Sequence, residues 1–240
     1  MIRGIIIKYL FNKSYIRILK GGKCNISPKS RIRRSHIIIY DGGELQIDDN
    51  VILDNVDIIL KKGKLSIAKN SIITSRKHKV EVNLENGNIV IGKNSKISCS
   101  RIWCRFGGNI KIGHYTNIND WSEIRSDERV EIGSFNQISY NVRIWDTNTH
   151  QILPKAERRI ITKEYFPVFG KDLHRPVTMP VIIGDDCWIG EYSSILKGVT
   201  IGNGCVIGFG TFITKKNIPV NSQVYNKRDI IINQGSENHD

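Results

Sequence analysis

The segment MPVIIGDDCWIGEYSSILKGVTIGNGCVIGFGTFITKKNIP, residues 179–219, carries an isoleucine at every sixth position from Ile183 to Ile213. An α-helix would spread a six-residue apolar period around its whole surface, because it has 3.6 residues per turn. Short strands joined by turns fit the period, since each Ile can point inward while Gly allows the bend and polar residues face outward. The segment therefore predicts a series of short β-strands.

A looser form of the same six-residue phrase recurs through the preceding chain. Counted from its first Ile, it starts at residues 26, 47, 67, 91, 112, 132, 183 and 201, at intervals of 21, 20, 24, 21, 20, 51 and 18 residues. Three phrases make one 18-residue coil, so the pattern predicts a three-sided parallel β-helix. Cys187 and Cys205 lie 18 residues apart at the same phrase position. We expect them to stack in the core as a ladder of small residues rather than as a disulfide.

Composition and charge set the domain organisation. The net charge is +13, yet residues 1–40 hold ten Lys and Arg and no Asp or Glu. The predicted units are a basic N-terminal cap over residues 1–25 with a short helical stripe at 2–11, a β-helix over 26–220, and a tail over 221–240. Five cysteines without a CxxC pair indicate a reducing compartment, and no apolar run is long enough to span a membrane. We therefore expect a cytoplasmic protein.

Residues 179–219 resemble the hexapeptide-repeat acyltransferases, and among them the sugar O-acetyltransferases of galactoside, maltose, nodulation-factor and capsular or sialic acid types. The resemblance rests on Trp188-Ile189-Gly190, on the run from Gly198 to Gly202, and on Ile207-Gly208. It implies a left-handed β-helix, a homotrimer, and acetyl-CoA in a groove between neighbouring subunits. It also implies an extended loop with a histidine that deprotonates the acceptor hydroxyl.

The 51-residue interval locates that loop, since it exceeds one coil by about 33 residues, which fall within 146–180. Long excursions from a regular stack are usually functional or disordered, and apolar residues here (Ile160, Ile161, Tyr165, Phe166 and Phe169) predict anchors for a loop that reaches a partner subunit. His150 is the predicted general base, because imidazole can accept a proton near neutral pH. Asp146 is predicted to orient its ring, and His174 is the rival base.

The remaining site residues follow from the resemblance. It places Trp188 beside the histidine, although that residue could equally pack in a subunit interface. It points to coenzyme A contacts at Gly190, Gly208, Phe209, Thr214, Lys215 and Arg228, and to an acceptor contact at Asn119. His174 with Arg175 could bind a carboxylate or phosphate of the acceptor. Phe209 stands where small residues are usual, and "VYNKRDII" replaces the usual Gly-x-Pro-Ala, so the coenzyme could sit differently.

The favoured function is O-acetyl transfer from acetyl-CoA to a cell-surface carbohydrate or its precursor. The alternatives are N-acetylation of an amino sugar and a non-catalytic β-helix that binds polyanions. The six histidines show no close ligand pairing, so we expect no metal, unlike in the γ-carbonic anhydrases of this fold. The basic end could bring the protein to an acidic glycan or an anionic membrane surface, whereas few aromatics interleave with its cations, which disfavours nucleic acid.

Overall fold

The computed structural model describes residues 13–168, 172 and 174–227. Over these ranges the chain winds through three parallel sheets of nine strands each, and each strand pairs with the equivalent strand one coil away. The predicted parallel β-helix is therefore confirmed. Its first strand starts at Tyr15 and its last ends at Val224, so the coils extend beyond the predicted limits of 26 and 220 at both ends. The predicted helical cap at 2–11 lies outside the described residues.

The strands follow one another in the order sheet 1, sheet 2, sheet 3. Sheet 1 contains β1 (Tyr15–Ile18), β4 (His36–Ile39), β7 (Val56–Leu60), β10 (Val80–Leu84), β13 (Arg101–Cys104), β16 (Glu123–Ser126), β19 (Arg143–Trp145), β22 (Ser194–Leu196) and β25 (Phe212–Ile213). Sheet 2 contains β2 (Lys23–Ile26), β5 (Gly43–Ile47), β8 (Gly63–Ile67), β11 (Gly87–Ile91), β14 (Gly108–Ile112), β17 (Arg129–Ile132), β20 (Val181–Ile183), β23 (Thr200–Ile201) and β26 (Asn217–Ile218). Sheet 3 contains β3 (Arg31–Arg33), β6 (Ile52–Asp54), β9 (Ile72–Thr74), β12 (Lys96–Ile97), β15 (Asn117–Ile118), β18 (Gln137–Ile138), β21 (Trp188–Ile189), β24 (Val206–Ile207) and β27 (Gln223–Val224).

The core is a stack of aliphatic side chains inside the three sheets. All six isoleucines of the regular segment from Ile183 to Ile213 are buried, and each stacks on equivalents in neighbouring coils. Full burial of one such side chain stabilises the fold by about 1.5–3 kcal/mol. Cys187 and Cys205 are buried and free, which confirms that they belong to the core.

The corner between sheets 2 and 3 shows why asparagine recurs in the phrase. Asn50, Asn70 and Asn94 occupy it in successive coils with φ of 59°, 61° and 57°. Asparagine tolerates this left-handed conformation better than most residues. Their amides form a ladder, in which Asn50 Nδ2 donates to Asn70 Oδ1 at 3.1 Å and Asn70 Nδ2 donates to Asn94 Oδ1 at 3.0 Å.

The long excursion leaves the coil after β19 and returns at β20, at the corner between sheets 1 and 2. It contains the helix α1 (Lys155–Glu164), which has no buried residue. Ile160 and Phe166 are exposed, and Ile161 and Tyr165 are half-buried, so the predicted anchoring of the loop against a partner subunit stays a prediction. Phe169 lies outside the described residues.

Candidate active site

The two ends of the excursion are tied together at the coil. Thr147 and Thr178 form an isolated antiparallel bridge. Asn148 N donates to Val177 O at 3.1 Å, and Met179 N donates to Asp146 O at 2.9 Å. This stem holds the segment that precedes His150 against the rigid β-helix, which suits a group that must be positioned for chemistry.

Asp146 is a structural residue at the base of this stem. Its buried carboxylate accepts four hydrogen bonds, from Ser126 Oγ at 2.7 Å and from the backbone N–H groups of Asp127, Glu128 and Arg129 at 2.9, 2.9 and 2.6 Å. Burial raises the pKa of this carboxyl, while these donors act to lower it. The side chain points into the turn between β16 and β17, so the predicted contact with His150 is wrong. A spacing of four residues did not reveal that the two side chains point in different directions.

Asp172, from the far side of the excursion, takes the place predicted for Asp146. Its Oδ2 lies 3.2 Å from His150 Nδ1, and its Oδ1 accepts from Gln151 N at 3.0 Å. Because an ionised carboxylate can only accept, Nδ1 is the donor in this contact, and in the neutral imidazole Nε2 then has the lone pair. The His150 side chain is 58% exposed and that of Asp172 7%, so the carboxylate is enclosed while the ring faces solvent. This arrangement suits a base that receives a proton from an external hydroxyl.

Arg105 holds Asp172 in turn. Its Nη1 lies 3.2 Å from Asp172 Oδ2, and its Nη2 donates to Thr149 O at 2.9 Å. On its other side the guanidinium forms a bidentate pair with buried Asp127, at 2.9 Å from Nε and 2.7 Å from Nη2. Burial acts to lower the pKa of Arg105, but its two carboxylate partners outweigh burial and raise it, so the group stays cationic. Thr147 Oγ1 donates to Asp127 Oδ2 at 2.7 Å and completes the network.

No pattern in the sequence pointed to Asp172, Arg105 or Asp127. Their contacts span 22 positions between Arg105 and Asp127, 67 between Arg105 and Asp172, and 22 between His150 and Asp172. Exposed His174 lies close to the site, because its N–H donates to Gln151 Oε1 at 3.3 Å, and Arg175 is also exposed. A carboxylate near His174 was the one signal that could have pointed to Asp172.

Two of the predicted coenzyme contacts lie at the same corner as His150. The side chain of Lys197 donates to Asn148 Oδ1 on the stem. Lys215 N donates to Lys197 O at 3.2 Å, and Thr214 Oγ1 lies 3.5 Å from the same oxygen. Thr214 and Lys215 are exposed, so a cation and a hydroxyl are available near the stem for an anionic or polar ligand.

The other predicted contacts that the structure describes lie on sheet 3, the face opposite this corner, or in the turns that directly follow its strands. Trp188 is 60% exposed on β21, and Asn119 directly follows β15 on the same sheet. Gly190 allows successive coils to approach closely, since a Cβ there would be 2.8 Å from Ile207 O and from Phe209 N. Gly208 stacks below Tyr225, and exposed Phe209 packs edge-on against Tyr192 at 5.5 Å between ring centroids. Within one subunit, His150 and Trp188 therefore lie on opposite sides of the β-helix. Arg228 lies outside the described residues.

Within the described ranges, no group of three or more His, Cys, Asp or Glu is arranged to hold a metal ion. Among the same residues, no helix is both long and apolar enough to cross a membrane.

Comparison with known proteins places the repeat in a family. Residues 180–215 match the family model described as bacterial transferase hexapeptide (six repeats). A candidate acetyltransferase of Saccharomyces cerevisiae is 37% identical over 119 residues, which make up 50% of this chain and 53% of that protein. The galactoside O-acetyltransferase of Escherichia coli K12 is 31% identical over 136 residues, 55% of this chain and 56% of that enzyme. The chain thus spans about half the length of these curated relatives.

A solved structure shares the fold over most of the chain. The polySia-specific acetyltransferase NeuO superposes with a TM-score of 0.52 at 20% identity, over 93% of this chain and 84% of that one. At this identity the likeness concerns the fold alone. The predicted repeat is confirmed by the family match and by the coil register. The chain therefore carries the bacterial transferase hexapeptide repeat, over residues 180–215 of a longer β-helix.

Proposed function

We propose that the chain is an acetyl-CoA-dependent O-acetyltransferase that acts on a hydroxyl of a carbohydrate, with His150 as the general base. The observation that carries the proposal is the His150–Asp172 contact of 3.2 Å at Nδ1, which leaves Nε2 free at an exposed position. The galactoside O-acetyltransferase relative, whose acceptor is a sugar, supports this reaction class.

In the proposed reaction, the acceptor hydroxyl gives its proton to His150 Nε2 as its oxygen attacks the thioester carbonyl carbon of acetyl-CoA. The new C–O ester bond forms, the C–S bond breaks, and the imidazolium returns the proton to the departing thiolate. Atoms and charge balance without a covalent intermediate on the protein. Asp172 stabilises the imidazolium while it exists, and Arg105 holds that carboxylate in position.

The site is completed by a second copy of the chain. His150, Thr214 and Lys215 lie at the corner between sheets 1 and 2, while Trp188 and Gly190 lie on the opposite face. Helix α1 also leaves Ile160 exposed, and Phe166, directly after it, is exposed as well, as expected of a segment that packs on another subunit. A cyclic trimer brings the corner of each subunit to sheet 3 of the next, with acetyl-CoA between them.

The test is thiol release from acetyl-CoA with a panel of acidic and neutral glycans and one amino sugar. We expect acceptor-dependent release that falls by about 10²–10⁴-fold in His150→Ala. His174→Ala tests the rival base on the same excursion and should retain most of the activity. His114→Ala, which replaces an exposed histidine at the corner between sheets 2 and 3, is the matched control. Equal losses of thiol release in His150→Ala and His174→Ala would contradict the assignment of His150 as the general base. Release with the amino sugar alone would replace O-acetylation with N-acetylation, and no release together with no acetyl-CoA binding in calorimetry would favour a polyanion-binding protein.

A further inference from the structure

A second, shorter departure from the coil rhythm lies far from His150. The 24-residue interval between Ile67 and Ile91 contains extra residues at 75–79, at the corner between sheets 3 and 1. The loop is held firmly. Ser75 Oγ lies 2.5 Å from Asp120 Oδ1, and Asn55 Nδ2 donates to His78 O at 2.8 Å. The His78 ring lies tilted against Trp121, with centroids 4.2 Å apart and an angle of 47° between the ring planes.

This loop overhangs the outer face of sheet 3 and forms a cavity of about 520 Å³. We call it the loop pocket. Its floor includes Ile52 and Ile72, and its walls carry two acidic residues, Asp54 and Asp120. Five cations line it: Arg33, Arg34, Arg76, Lys77 and Lys96. Five positive and two negative side chains leave the loop pocket with a formal charge of +3.

Both acidic side chains of the loop pocket already have partners within the protein. Arg33 and Arg34 both contact Asp54, at 3.1 and 2.8 Å. Asp120 accepts the Ser75 hydroxyl. Exposed Arg76 and Lys96 have no carboxylate partner among the residues that the structure describes. Two unpaired cations above a half-buried aliphatic floor fit a ligand that combines a negative charge with an apolar ring face.

The loop pocket shares a straight column of side chains with Trp188. In the register of sheet 3, Ile72 pairs with Lys96, followed by Asn117, Gln137 and Trp188 in successive coils. Three interstrand steps separate Lys96 from Trp188, a distance of about 14 Å. The amides of Asn117 and Gln137, which can both donate and accept hydrogen bonds, lie between them.

We propose that the loop pocket binds a carboxylate-bearing sugar of the acceptor chain, while a different residue of the same chain receives the acetyl group near Trp188. This inference rests on the proposed function. It identifies the acceptor as an acidic oligomer or polymer that lies along sheet 3, since a single sugar cannot cover about 14 Å and occupy both places. The subsite adds affinity for long acidic acceptors and none for neutral chains.

The test uses the full-length protein and oligosialic acid as the carboxylated probe, with dextran oligomers of matched length as neutral chains. Binding without acetyl-CoA is measured by calorimetry for wild type, for Arg76→Gln/Lys96→Gln, and for Lys111→Gln. Lys111 is an exposed cation on sheet 2 and serves as the matched control. We expect the Kd for oligosialic acid to rise about tenfold in the double variant and to stay unchanged in the control.

The oligomer-to-monomer ratio of kcat/KM in thiol release should fall in the same variant. An unchanged Kd and an unchanged ratio would overturn the loop pocket while leaving the proposed function intact. Weaker oligosialic acid binding in the double variant, with no acetyl transfer by any form, would retain the subsite and remove the proposed function. A tenfold loss of binding to inorganic phosphate or to phosphatidylserine vesicles, with oligosialic acid unaffected, would replace the carboxylated sugar by a phosphate ligand and overturn the proposal.

Discussion

Replacement of Asp146 by asparagine separates a structural role from a catalytic one. The carboxylate has four donors, three on Oδ2 and Asp127 N–H on Oδ1. Asparagine offers one oxygen. If that oxygen takes the Oδ2 position, the new NH₂ group faces the Asp127 N–H, so one buried N–H and the new amide both lack an acceptor. Two unmet buried donors at about 1–3 kcal/mol each make the folded state about 2–6 kcal/mol less stable.

For a chain of this size, each kcal/mol lowers Tm by about 2–4 °C, so we expect Tm to fall by about 5–20 °C in Asp146→Asn. The assay is thermal and urea unfolding followed by tryptophan fluorescence, with thiol release measured well below the lower Tm. Activity per folded molecule should remain close to that of wild type. Asp172→Asn is the comparison variant. We expect kcat to fall by about 10²-fold because the imidazolium loses its ionised partner, and Tm to fall less than in Asp146→Asn because Arg105 keeps its bidentate pair with Asp127. An Asp146→Asn protein with normal Tm and 10²-fold lower kcat would refute the structural assignment.

Three further predictions concern Arg105, the close packing of the coils at Gly190, and two buried cysteines. Arg105→Met should destabilise the fold by about 3–5 kcal/mol in urea unfolding, because buried Asp127 loses its cationic partner and keeps the Thr147 hydroxyl as a side-chain donor. A stable, inactive variant would instead limit Arg105 to positioning Asp172. Gly190→Ala should unfold at a lower urea concentration than wild type, since its Cβ would lie 2.8 Å from backbone atoms of the next coil. An unchanged free energy of unfolding would show that the coils can move apart at this position. Burial raises the pKa of the Cys99 and Cys104 thiols to about 12, so at pH 8 they should react with a thiol reagent only after denaturation.

The coils could be predicted from the sequence because each six-residue phrase contains the residue types that form one strand and one turn. An inward Ile, a small residue at the corner and a residue that tolerates positive φ recur within six positions, and the stacked coils repeat the same contacts. The position of His150 followed from the loss of that period. The first coil, which begins at Tyr15, was not predicted because its residues do not follow the six-residue phrase.

The contacts across the excursion were beyond prediction, since no period relates their residues. Asp172 reaches His150 over 22 positions, and Arg105 reaches Asp172 over 67. Asp146 directly follows β19 and turns inward, whereas His150 lies beyond the stem and faces outward. Short sequence distance favoured the wrong carboxylate, because inward and outward directions alternate within a few residues of a strand end.

The proposed division of the site between two subunits gives a prediction that does not depend on the acceptor's identity. His150→Ala and Trp188→Ala should each be poorly active, since each trimer lacks one half of every site. When the two inactive variants are co-expressed at equal levels, random mixing pairs an intact His150 corner with an intact sheet 3 in about one quarter of the interfaces. Thiol release should therefore recover to about a quarter of the wild-type value.

The control is the mixture of the two variants purified separately as trimers and combined under conditions where subunits do not exchange. That mixture should remain as inactive as its components. Recovery in the co-expressed protein requires that the base of one chain serve the face of another, because no single chain in the preparation carries both intact residues. If co-expression gave no recovery although mixed trimers were demonstrated by differential tagging, His150 and Trp188 would have to act within one chain, in conflict with their positions on a corner and on the face opposite it.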